Sequence, residues 1–139
     1  MPAAPIAIFA FRRPELTARL LHTLLANPEA AQSTVYAFCD GARREEDVEA
    51  VARTRRVIAE AGLPRLELVE RPVNMGLAAN VVDGVTRLCE AHGRAIVLED
   101  DLILSPRFLR YMNEALDRYE GEPRVHAVSG FMYPVEHGA

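Results

Sequence analysis

The sequence predicts an α/β fold: a mostly parallel sheet between two layers of helices, a three-layer α/β/α arrangement of Rossmann-like type. Short apolar segments alternate along the chain with longer ones whose apolar residues recur at helical spacing. One of the short segments, Ala95 to Leu98, is apolar throughout rather than at every second residue, as in a strand buried on both faces. Charged and amide side chains collect just after them, at the carboxyl ends where ligands sit in open α/β sheets.

Pro5 to Phe11 is the first strand, followed by a helix with Leu16, Leu20, Leu21, Leu24 and Leu25 on one face and Pro14 suited to its first turn. The turn between them carries Arg12 and Arg13. Each can neutralise a phosphate, stack on a base, or begin a solvated helix. Val35 to Cys39 is the second strand and ends in Asp40-Gly41, a turn dipeptide whose carboxylate shares the rim and suits an N–H of a nucleobase. Arg43 to Ala61 reads as a helix with an apolar stripe of Val48, Val51, Val57 and Ile58, closed by Gly62. Glu45-Glu46-Asp47 complements its dipole and needs no catalytic role.

Leu66 to Glu70 is the third strand. A helix opens through Asn74-Met75-Gly76-Leu77-Ala78-Ala79-Asn80 and runs to His92-Gly93. Gly76 permits close backbone approach, the free amides beyond it offer an anion or ribose site, and Asn80 falls on the side of Asn74. Asn and Gly also cap ordinary helices. Ala95 to Leu98 is the fourth strand and runs into Glu99-Asp100-Asp101. Three adjacent carboxylates repel one another, which a hard divalent cation such as Mg2+ or Mn2+ relieves; a solvated loop, or a cap on the helix starting near Ser105-Pro106, is the plainer alternative. That last helix carries Leu109, Met112, Leu116 and Tyr119 and ends at Gly121 and Pro123, before an expected fifth strand, Val125 to Val128. Right-handed crossovers place strand one centrally.

At 139 residues the chain has the size of one domain, and 50% of it is apolar. A net charge of −4, with acids and arginines interspersed, gives no basic stripe, so nucleic acid is not an expected partner. All 16 basic residues are arginine. Without lysine there is no P-loop, no Schiff base to pyridoxal phosphate and no phosphoacceptor receiver site. Arginine-, alanine- and proline-rich composition suggests a GC-rich bacterial genome. Cys39 and Cys89 lack metal-ligand spacing and read as buried apolar thiols, in keeping with a cytoplasmic location. The four histidines are scattered: His22 and His92 on helix surfaces, His126 in the fifth strand. No segment has signal-peptide order or transmembrane length.

An arginine at the exit of strand one, a strand ending in Asp-Gly, an Asn-x-Gly-Leu-Ala-x-x-Asn helix start and a strand ending in Glu-Asp-Asp together resemble the nucleotide-sugar-binding part of GT-A-fold glycosyltransferases. The likeness is to the N-acetylglucosaminyltransferase I type, with family 2 as wider relatives, and it spans nearly the whole chain. It implies a metal-dependent transferase acting on a nucleoside-diphosphate sugar, a UDP-sugar by this likeness, and a saccharide or other hydroxyl acceptor. Asp101 would coordinate Mn2+ or Mg2+, while Glu99 and Asp100 hold the ribose and neighbouring donor groups. Asp40 would contact uracil and Arg12 or Arg13 lie near the base; Asn74, Gly76 and Asn80 would line the donor pocket.

Enzymes of this kind place the acceptor site and the base of inverting members after the metal motif. The chain ends soon after strand five, which reads as a truncated, donor-binding part whose base lies elsewhere, with Glu136 no candidate and the edge beyond strand five open to self-association. The alternatives are a non-catalytic nucleotide-binding module and a nucleotidyltransferase of related fold. The latter would carry a Gly-rich loop and a lysine after strand one, and Phe9 to Pro14 contains neither.

Overall fold

A computed structural model describes residues 2–132; Glu136 lies outside them. The elements are β1 (Ile6–Ala10), α1 (Pro14–Leu25), β2 (Val35–Cys39), α2 (Val48–Ala59), β3 (Leu66–Glu70), α3 (Leu77–His92), β4 (Ile96–Glu99) and α4 (Phe108–Tyr119), with 3-10 turns at Pro28–Ala31 and Glu45–Asp47. The strands form one parallel sheet in the order β3-β2-β1-β4, so β1 is interior as expected.

Side chains alternate across the sheet, and each face has its own cover. Ile6, Ile8 and Ala10 point into a core with Leu20, Leu21 and Leu24 of α1, Ile58 of α2 and Leu109 of α4. Ala7 and Phe9 point the other way, with Phe38 and Leu88, beneath α3. The Phe9 and Phe38 rings stack with centroids 5.3 Å apart. Gly84 lets α3 settle on them, since a Cβ there would meet Phe9 Cε1 at 2.6 Å. Helices on both faces explain why β1 and β2 are apolar throughout.

Several expectations are corrected. Val125 to Val128 is not a strand: the segment is half-buried to exposed, and its first amide closes a turn onto the Glu122 carbonyl at 3.0 Å. The segment pairs with no strand, although the outer edge of β4 carries no partner among the described residues. His126 is therefore exposed outside any strand, and β4 is the sheet edge among the described residues. β4 itself is covered on one face only, Val97 being 41% exposed. Arg43 and Arg44 precede the helix rather than belong to it, and Val48 is exposed. Cys89 is exposed on α3, not buried.

The fourth helix starts at Phe108, and neither Asp100 nor Asp101 caps it. The buried Asn27 does so from a distance: its Oδ1 accepts the Leu109 amide at 3.0 Å, while its Nδ2 donates to the Thr23 and Ser105 carbonyls at 3.0 and 3.1 Å. Thr23 Oγ1 accepts the Leu104 amide at 3.0 Å, fastening the loop after Asp101 to the end of α1. No helix among the described residues is long and apolar enough to cross a membrane.

Candidate functional site

Parallel register sets the rim. Ala10 lies level with Cys39 and Phe9 with Glu99, so Phe11 to Arg13, Asp40 and Asp100 leave the sheet side by side. They border a cavity of about 380 Å³ closed on its far side by the start of α3. Arg12, Arg13, Asp40, Asn74, Gly76, Asn80, Glu99 and Asp100 all line it. Asp101 does not: it is exposed, in the turn just past the rim.

The position of Asp40 matches expectation, but its carboxylate is already engaged. It is 3% exposed, and its oxygens accept the amides of Gly41 (2.9 Å), Met75 (2.8 Å) and Gly76 (3.0 Å) and the Asn74 Nδ2 (3.2 Å). Four donors fill the acceptor sites of one carboxylate. Asp40 therefore folds the loop ahead of α3 against the rim, and meets a base only by releasing one of those donors. Asn74 also donates to the Gly41 carbonyl at 2.9 Å. Gly41 has to be glycine, since a Cβ would lie 2.6 Å from the Val73 carbonyl carbon. Gly76 has φ +81°, a conformation costly for any other residue. Asn80 is likewise fixed, donating to the Phe38 carbonyl at 3.2 Å and accepting from Arg71 Nε at 3.1 Å.

The acidic triplet divides by partner. Asp100, 4% exposed, accepts a fork from Arg13: Nε to Oδ2 at 3.2 Å, and Nη2 to Oδ1. The hydrogen bond to Asp100 and the field of the three acids raise the Arg13 pKa, so this guanidinium stays charged. Part of the repulsion among the acids is thus relieved by a cation from the β1–α1 turn. The Glu99 and Asp101 side chains are exposed and make no hydrogen bond or ion pair among the described residues, which leaves them free for a ligand.

Three residues at or behind the rim were not anticipated. Phe11 lies under two guanidinium carbons, Arg12 at 5.3 Å and Arg43 at 5.9 Å from its centroid. Asp47, 2% exposed, pairs with Arg12 and accepts the Arg43 amide at 3.2 Å. Burial opposes charge on Asp47, yet these bonds and the two positive charges hold its pKa below the usual aspartate value. The Arg43 to Asp47 spacing of four residues was the available signal, but at a helix start the acid reads as complementing the dipole.

No protein-family model matches this sequence, and no curated protein matches it. The functional reading therefore stands on these residues.

Proposed function

We propose that the chain is the donor-binding part of a metal-dependent glycosyltransferase, taking a nucleoside-diphosphate sugar, UDP-linked by the sequence resemblance, and passing the sugar to a hydroxyl acceptor. One observation carries the reading: positions singled out on four separate segments converge on a single cavity at the carboxyl edge of a parallel sheet. The finer GT-A layering belongs to the same proposal.

A divalent cation fits this edge in a particular way. No group of three or more His, Cys, Asp or Glu side chains able to hold a metal occurs among the described residues, so there is no all-protein cage. Magnesium-type sites commonly use one or two carboxylates and complete the shell with water and substrate phosphates, and Glu99 and Asp101 are the free carboxylates that suit this. When bound, the cation would neutralise the charge developing on the diphosphate leaving group.

The protein's own groups do the rest. Arg13, which lines the cavity, is held by Asp100 through Nε and Nη2, and its Nη1 makes no hydrogen bond among the described residues. The Asp40 hub holds Asn74 and Gly76 in place before the ligand arrives, which lowers the ordering cost of binding. Calorimetric titration of UDP and UDP-N-acetylglucosamine, with manganese present or chelated, tests the reading. Metal-dependent binding that Asp101→Ala and Glu99→Ala weaken supports it; binding unaffected by chelation favours a non-catalytic nucleotide module, and no binding by the folded chain overturns it.

A further inference from the structure

Behind the cavity wall sits a carboxylate that never reaches the cavity. Asp47 is buried, does not line the space, and binds the two arginines that do. One oxygen takes Arg12 Nη1; the other takes the Arg43 amide at 3.2 Å, with Arg43 Nε at 3.8 Å. Both guanidiniums rest by the Phe11 ring. Long arginine side chains otherwise sample many rotamers, and here a carboxylate and an aromatic face restrict two of them. Arg12 Nε and Nη2 donate to nothing among the described residues, and the same holds for the Arg43 head apart from its approach to Asp47. Arg12 and Arg43 together with Asp47 carry a net charge of +1, beside the start of α3 at Gly76 and Leu77, in a cavity that Asp40, Glu99 and Asp100 also line.

From this arrangement we infer that Arg12 and Arg43 form an anion subsite for the phosphate groups of the nucleotide, and that Asp47 is the positioning residue that organises it. The inference rests on the nucleotide-sugar reading and adds Arg43 and Asp47 to it. Asp47 acts only through the arginines, so its loss should fall on ligands that carry phosphate and spare those that do not.

The test compares UDP with uridine by calorimetry at one salt concentration with manganese throughout, using wild type, Asp47→Ala, Asp47→Asn and Arg43→Ala. Freeing two restricted guanidiniums predicts an approximately tenfold loss of UDP affinity in Asp47→Ala, with uridine affinity unchanged. Asp47→Asn keeps an acceptor without the charge and falls between. Arg43→Ala, at an exposed side chain, gives the same selective loss and carries the test if Asp47→Ala does not melt cooperatively. Equal losses for UDP and uridine would make Asp47 a purely structural residue, and UDP binding undiminished in Arg43→Ala would remove that arginine from the phosphate site; either overturns the inference alone. Wild-type protein that binds neither ligand overturns the nucleotide reading and this inference with it.

Discussion

Replacing Asp40 with asparagine changes one oxygen to an NH2 group and should unfasten the loop before α3. In the orientation that loses least, the remaining oxygen keeps the Gly41 and Met75 amides, while the new NH2 faces the Gly76 amide and Asn74 Nδ2, both donors. Flipping the Asn74 amide offers no escape, because its oxygen would then oppose the Gly41 carbonyl it now binds at 2.9 Å. Two charge-assisted bonds are lost, and since Asn74 and Gly76 are only half-buried, water makes up part of the difference. At about 1.5 kcal/mol for each bond, the low end for charged partners, the loss is about 3 kcal/mol. In a domain of this size that lowers Tm by about 10 °C. Urea denaturation should show a lower midpoint at unchanged m-value, and hydrogen exchange should quicken at Met75 and Gly76. A destabilisation below about 1 kcal/mol, or exchange confined to other amides, would refute the account of Asp40 as a saturated hub.

The lowered Asp47 pKa makes its contribution to stability pH-dependent. A depressed folded pKa stabilises fully above the ordinary value of 3.8 and is lost as pH falls through the folded one, so the stability gap between wild type and Asp47→Asn should hold from about pH 7 to 5 and close below about pH 4. Asn27→Ala orphans the buried Leu109 amide and leaves a small void, an expected cost of about 3 kcal/mol by urea denaturation. Burial pushes the Cys39 thiol up to about 12 while Cys89 is exposed, so a thiol reagent should modify one cysteine rapidly and the other only at the rate of unfolding.

The strands at Val35–Cys39 and Leu66–Glu70 were legible to the residue, because each is a short run rich in apolar residues, the second interrupted by Glu67, with turn or charged residues on both sides. Val125 to Val128 begins and ends on valine but is not a strand, since its neighbour would have to be the outer edge of β4 and local character does not say whether a segment reaches that edge. The rim was legible for a related reason: strand ends are local, and a parallel sheet brings all of them to one side. What lies across from a rim residue is not local. Asp40 could be placed from Asp-Gly after a strand, but not the four donors that occupy it. The acidic triplet could be seen, but not the Arg13 fork that neutralises its middle member. Asp47 reads in the sequence as one of three acids complementing a helix dipole, and its burial against Arg12 and Arg43 is not local.

The strand order gives the cavity a history. Phe11, Arg12, Asp40 and Asn74 belong to the stretch from β1 to the start of α3, whose strands can pair with one another as they emerge from the ribosome. The second edge of β1 has no partner until Ile96 to Glu99 has been made, and Asn27 waits still longer for Leu109. The aromatic and arginine residues of one wall are thus synthesised before the acids opposite them, and among the described residues β4 is the strand that brings the charges that finish the site.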